Sequence, residues 1–278
     1  MQNRLIKKAG KNLGAFLLNA PILAIILIPL LYTLSISIMP SNEIYKSRLI
    51  PSSIQFSNYI NAFTNPTYPF FRFILNSFIV STAVMLGQML TCSMAAFAFA
   101  FLQFKGKKLL FLMILATMMV PGEATIIANY LTVSSLGWLD TYQALILPFL
   151  TSAMGIFLLR QNYLTFAKEL HEAARIDGCG NWRFLVSVVA PLSRPALGAL
   201  GAYVFLNTWN QYMWPLLVTT TSARRTVQIG ISMLYNVDAE SLGLMMAGVI
   251  IVIVPSLSIF VFMQKQLING LMAGAVKG

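Results

Sequence analysis

Residues Glu172–Leu192 read EAARIDGCGNWRFLVSVVAPL. Glu172, Arg175, Asp177, Asn181 and Arg183 make this stretch polar, and Gly178 and Gly180 put a hinge in it, yet it stands between two long apolar blocks. It does not belong in hydrocarbon, whereas nearly everything on either side does. The preceding Ala167–Ile176 is made of helix formers, with Glu169 and Glu172 early and Arg175 late, an order that suits the helix macrodipole. Gly178 and Gly180 then break the helix. Asn181–Val189 can restart a second one, and Pro191 and Pro195 mark the approach to the next apolar block. The spacing predicts a helix–turn–helix over about 164–192, outside the membrane and roughly parallel to it. A short polar helix of this kind has no core of its own and needs a partner surface.

Working outward, the chain of 278 residues is 58% hydrophobic and only 10% charged, against about 25% charged in an ordinary soluble domain. The apolar residues fall into six blocks, at about 13–38, 73–102, 109–130, 142–159, 195–218 and 242–263. Each has about the length, ~20 residues of helix or more, needed to cross a ~30 Å hydrocarbon core. The expectation is an all-α polytopic membrane protein, a single domain over 1–278 with six transmembrane helices. Pro21, Pro29, Pro121, Pro148 and Pro255 lie inside these blocks. Spans tolerate proline where neighbouring helices re-satisfy the freed carbonyls. The basic start, MQNRLIKKAGKNLG, resembles a signal-peptide n-region, but the block after it is too long for an h-region and reads as a retained first span. Within the outer connection 39–72, NYINAF fits either a short interfacial helix or a loop with aromatics at headgroup level.

Basic residues set the orientation. Arg4, Lys7, Lys8, Lys11, Lys105, Lys107, Lys108, Arg160, Lys168, Arg175, Arg183, Arg194, Lys265 and Lys277 share one side, whereas Lys46, Arg48, Arg72, Arg224 and Arg225 share the other. The richer side is the cytosol, so both termini and the 164–192 segment are expected there. The net charge of +11 sits in these short loops and forms no basic stripe interleaved with aromatics, so nucleic acid is not expected as a partner. Cys92 and Cys179 fall in a span and in a cytosolic loop, a poor pairing in a reducing compartment. His171, the one histidine, cannot build a metal site alone.

The residues Glu172, Ala173, Ala174, Asp177, Gly178, Phe184 and Pro191, in this order and spacing, resemble the EAA loop of the permeases of bacterial binding-protein-dependent ABC importers. Ala190 departs from the leucine common before that proline. The likeness extends to an NSF run (Asn76, Ser77, Phe78), a Val120-Pro121 pair and WNQYMWPL at Trp209–Leu216. It is similar to the second permease subunit of the carbohydrate branch, maltose and glycerol-3-phosphate type, with the WNQY run leaning to the latter. The resemblance implies a multi-pass protein of the bacterial inner membrane with no cofactor of its own. Its expected partners are a homologous second permease, two copies of an ABC ATPase that bind ATP and Mg, an extracellular solute-binding protein and the lipid bilayer. It also implies that Glu172 faces donors of the ATPase, that Ala173 and Ala174 allow close approach and that Gly178 makes the turn. The chain itself has no G-x-x-x-x-G-K-[ST] phosphate loop.

Candidate pathway residues come from polar groups at membrane depth. If the third span runs on through Pro121, Glu123 lies ~21 Å from the cytosolic end; if the span ends near Pro121, Glu123 sits in the outer headgroup layer. Asn210 would lie ~24 Å along the fifth. Intramembrane acids usually face a cavity or a partner. Asn207, Trp209, Asn210, Gln211 and Tyr212 combine amides that bond hydroxyls with rings that stack on sugars; an aromatic belt at the interface is the alternative. An intramembrane enzyme would need Ser–His, paired Asp or H-E-x-x-H inside spans, and none is present. An ion-coupled secondary transporter would need ion ligands at mid-bilayer and inverted repeats, and neither is visible.

Overall fold

A computed structural model describes residues 2–46, 48–64, 69–166, 168–234 and 241–275, and among these there is no β-strand. Helix α1 (Gln2–Ser37) takes in the basic start as well as the first apolar block, so it begins before the expected residue 13. Ser57–Thr64 forms α2, which resolves the NYINAF alternatives in favour of a helix. Then follow α3 (Phe70–Phe101), α4 (Lys107–Thr117), α5 (Gly122–Ser135), α6 (Tyr142–Ile146) with a 3-10 turn at Leu147–Phe149, and α7 (Ala153–Tyr163). The polar segment is α8 (Lys168–Ile176), α9 (Asn181–Phe184), a π turn at Leu185–Val189 and α10 (Ala190–Leu192). Helices α11 (Arg194–Trp209), α12 (Met213–Val218), α13 (Val227–Leu234) and α14 (Ser241–Ala275) complete the order.

Among the described residues three helical stretches, Asn19–Ser37, Phe70–Phe101 and Leu242–Phe262, are long and apolar enough to cross a bilayer singly; three bent pairs raise the number to as many as six. Each bend has a local cause. Between α4 and α5 the axis turns by 98°, because Pro121 denies Val120 the helical region and becomes the extended N-cap of α5. The straight rise used to place Glu123 at mid-membrane depth therefore does not apply, since the helix from Lys107 stops at Thr117. Pro148 and the N-cap Ser152, which accepts from the Gly155 amide at 3.1 Å, make the 42° bend before α7. Ser193 and Pro195 make the 83° bend before α11.

The chain divides into two compact units, Met1–Pro69 with Ile231–Ile253, and Phe70–Gly230 with Val254–Gly278. In the first, Ile36, Met39 and Ile44 are buried with Leu242 and Met246 against them. Asn58 donates to the Ser37 carbonyl at 3.0 Å, and Ser37 and Tyr59 share a 2.7 Å hydroxyl bond that seats α2 on the end of α1. Exposed Ile22, Leu23, Ile25, Ile26 and Ile28 leave α1 apolar on several faces, as expected of a helix solvated by lipid.

In the second unit α3 packs on α7 and α11. Close approach is set by Gly155, where a Cβ would lie 2.9 Å from the Cys92 sulfur. The break between α6 and α7 strands carbonyls in an apolar setting, and α3 answers them. Gln88 donates to the Phe149 carbonyl at 2.8 Å and accepts from the Ser152 hydroxyl at 2.8 Å, while Thr91 donates to the Leu150 carbonyl. A kinked span is thus made tolerable by polar side chains of its neighbour.

Candidate coupling surface and translocation residues

Helix α8 ends as its glycine predicts. Gly178 has φ +71°, the Gly178 amide bonds the Arg175 carbonyl at 3.1 Å, and the Cys179 amide bonds the Ala174 carbonyl at 2.8 Å. This pair of bonds is a Schellman stop, which requires a left-handed residue at the position of Gly178. Glu169 in the first turn and Arg175 in the last complement the dipole. Glu172, Ala173, Asp177, Gly178 and Pro191 are exposed, and Ala174 is half-buried. Large apolar groups are exposed beside them, Ile176 at 87% and Trp182 at 58%, a surface suited to a partner.

Phe184 is different. It is 1% exposed and turned inward. Its ring meets Phe97 at 6.2 Å, Phe101 at 5.5 Å and His171 at 4.9 Å, between centroids. His171 in turn stands edge-on to Phe97 at 6.3 Å and lies 5.3 Å from Phe101. So α8 and α9 are held to the end of α3 by one aromatic cluster, to which each helix contributes a ring. Sequence reasoning weighed His171 only as a metal ligand and missed this seat; the signal was its spacing of three residues from Ala174, which puts both on the inner face of α8. The π turn that follows widens the helix just before Pro191, whose missing N–H cannot close the ordinary bond to Ser187.

Opposite the 168–192 segment along α3, a polar clamp accounts for the NSF run. Asn76 donates to the carbonyls of Ala223 at 3.1 Å and Arg225 at 2.9 Å and accepts from the Tyr142 hydroxyl at 2.7 Å. The Ser77 hydroxyl accepts from the Val227 amide at 2.9 Å. Asp140, at φ +57°, accepts from the Thr220 and Thr221 amides at 3.0 and 3.1 Å and from the Thr221 hydroxyl at 2.6 Å. Burial pushes the Asp140 carboxyl up, but these hydrogen bonds, with the Arg224 charge nearby, outweigh it and hold the pKa below the usual aspartate value. Arg224 lies over the Tyr142 ring at 4.4 Å. The turn after α12 is thereby held at Thr220, Thr221, Ala223, Arg224, Arg225 and Val227.

Of the pathway candidates, Glu123 is exposed in the first turn of α5, where the helix dipole favours an acid. Asn207, Asn210 and Tyr212 are exposed and Gln211 half-buried at the end of α11. Asn210 caps that helix through a 2.9 Å bond to the Leu206 carbonyl and accepts from Gln228 at 3.3 Å. Trp209 is 1% exposed and stacks on Phe205 at 5.9 Å, so its ring belongs to the packing of this chain. Among the described residues no group of three or more His, Cys, Asp or Glu could hold a metal ion, and both cysteines are free thiols.

Residues 88–267 match the binding-protein-dependent transport system inner membrane component family, and the chain belongs to it. It is 36% identical over 256 residues to the sn-glycerol-3-phosphate transport system permease protein UgpE of Agrobacterium fabrum, covering 89% of this chain and 91% of that one. It is 32% identical over 256 residues to the arabinooligosaccharides transport system permease protein AraQ of Bacillus subtilis, covering 91% of each. Its fold is that of a chain in a solved bacterial ABC transporter involved in the import of the acidic polysaccharide alginate, with TM-score 0.83 and 22% identity over 93% of this chain and 96% of that one. The protein is an all-α, multi-pass transport permease of the ABC importer type and not an enzyme.

Proposed function

We propose that this chain forms half of the membrane pathway of an ATP-driven importer, beside a homologous second permease, and moves a saccharide or a polyol phosphate handed over by an extracellular solute-binding protein. The solute class rests on the relatives, which transport glycerol-3-phosphate or arabino-oligosaccharides by name, and on the WNQY run. The importer carries two copies of an ABC ATPase, with their ATP and Mg, and one of them docks on the 168–192 segment on the cytosolic side, where both termini also lie. Glu172, Ala173, Ala174, Asp177 and Gly178 make the docked surface, Phe184 seats it, and Pro191 ends it. Glu123, Asn207, Asn210, Gln211 and Tyr212 line the path, and Trp209 supports the wall from behind.

One observation carries this reading. The α8–α9 unit is a Schellman-stopped turn with exposed polar and apolar groups outside and an aromatic root on α3 inside. A force applied to the outside has a short packed route to a long span. The experiment is reconstitution of the permease pair with its ATPase and binding protein, followed by ATP-dependent uptake of labelled glycerol-3-phosphate, arabino-oligosaccharide and maltodextrin. Uptake of one solute, abolished by Glu172→Lys with insertion intact, is the expected outcome. Normal uptake in Glu172→Lys would remove the docking role from this surface.

A further inference from the structure

A cleft of about 460 Å³ opens where α3 ends, α4 begins and α7 ends, lined by Gln103, Lys107, Lys108, Phe111, Leu112, Leu115 and Arg160. Among the described residues it therefore holds three cations and no carboxylate. Two of the cations have structural duties. Lys107 donates to the Leu102 carbonyl at 2.7 Å and the Ala100 carbonyl at 3.4 Å, and the Arg160 Nε donates to the Phe99 carbonyl at 3.2 Å. Both satisfy carbonyls left over at the end of α3. These bonds leave one N–H of the Lys107 ammonium and the two terminal nitrogens of Arg160 available. The guanidinium lies 4.1 Å over the Phe111 ring, which holds its plane in place. Lys108, exposed on the next position, donates to no carbonyl among the described residues. Three like charges gathered at the edge of a low-dielectric region repel one another unless an anion joins them.

The order of residues along α4 says which anion. Lys108, Leu112 and Leu115 recur at the spacing of one helix face, and Lys107 with Phe111 forms the adjoining row. Charge thus occupies the first turn, and only hydrocarbon follows for ~10 Å along the axis. No residue of α4 is buried by the chain itself, and Leu109, Leu112 and Met113 are strongly exposed. A ligand matched to this cleft has its negative charge at one end and apolar chain beyond it. A soluble phosphate compound would gain nothing from the wall, and an acidic protein surface would meet unmatched leucines. In a membrane permease the matching molecule is already at hand.

We propose that this cleft binds one anionic phospholipid, its phosphodiester held by Lys107, Lys108 and Arg160 and an acyl chain lying along Phe111, Leu112 and Leu115. The site adjoins the end of α3 that also carries Phe97 and Phe101, so a bound lipid braces the seat of the α8–α9 unit. The inference needs only the membrane setting and is independent of the solute and of ATPase docking.

The test is native mass spectrometry of the whole importer complex after equilibration with vesicles of phosphatidylglycerol or of phosphatidylcholine. The complex with the unaltered chain should retain phosphatidylglycerol selectively. Lys108→Gln should lower that retention about fivefold, as expected for one surface cation near anionic lipid, and Lys108→Glu should lower it further. Leu112→Asp, which leaves the cations in place, should lower retention as well. Equal retention of both lipids, or retention unchanged in all three variants, would overturn the proposal. So would displacement of phosphatidylglycerol by millimolar inorganic phosphate, which would make this a site for free phosphate. Cross-linking of Lys108→Cys to the ATPase or the second permease would show a protein in the cleft and overturn it too.

Discussion

Phe184→Ala tests whether the 168–192 segment works through its root. The side chain is 1% exposed and contacts three rings, with centroids 4.9 to 6.2 Å away. Truncating a buried phenylalanine costs about 3–5 kcal/mol, part transfer and part cavity. The three ring pairs contribute roughly 0.5–1.5 kcal/mol each to such a seat beyond area burial. At about 1.4 kcal/mol per tenfold, the ratio of seated to unseated α8–α9 should fall by roughly a hundred- to several-thousand-fold. Helix α8 has nine residues, too few to persist in water unsupported. Amide hydrogen exchange over 168–184 should accelerate, while exchange in the middle of α3 stays slow. In the reconstituted complex ATP hydrolysis should continue and solute moved per ATP should drop, with Phe184→Leu intermediate. Unchanged protection together with an unchanged ratio of solute to ATP would refute the argument that this cluster transmits force.

Gly178→Val should leave insertion intact yet cost about 1–2 kcal/mol at φ +71° and uncouple uptake from hydrolysis; Gly178→Asn, which tolerates that conformation, should recover most uptake in the same vesicle assay. Asp140 is held ionised by its hydrogen bonds, so its clamp is complete above the ordinary aspartate range and is lost as pH falls through its lowered folded value. Exchange over 219–226 should therefore quicken only in acid, and Asp140→Asn should show the fast behaviour already at neutral pH. With Cys92 and Cys179 replaced, cysteines at Glu123 and Asn210 should react with water-soluble thiol reagents to an extent that differs between resting and ATP-bound complexes, whereas cysteine at Trp209 should stay inert. Inertness at Glu123 and Asn210 in both states would remove them from the path.

Much of the helical order was legible because lipid imposes a length on apolar runs and water imposes polarity on what joins them. The α8 stop was equally legible, since a left-handed C-cap needs glycine and Gly178 stands after Arg175, Ile176 and Asp177. The ends of α1 and α14 were not, because a helix continues through basic or polar residues when nothing breaks it, and hydropathy does not register that. Nor was the true direction of the chain past Thr117. Pro121 announced a break, but whether a proline kinks a span slightly or turns it by 98° depends on what receives the next helix.

For the site, sequence order determined which residues could meet a partner: Glu172 and Asp177 lie outside as their polarity requires. Only the tertiary structure decided that Phe184 and His171 form an inward root, that Trp209 is buried against Phe205, and that Asn76 and Asp140 reach across 80 and more residues to hold the turn after α12. The reason is physical. Local pattern fixes which groups prefer water, hydrocarbon or a cap, because those preferences are properties of single residues and their near neighbours. Which ring fills which gap, and which amide meets which stranded carbonyl, depends on distances between segments far apart in the chain, and those exist only once the helices have packed.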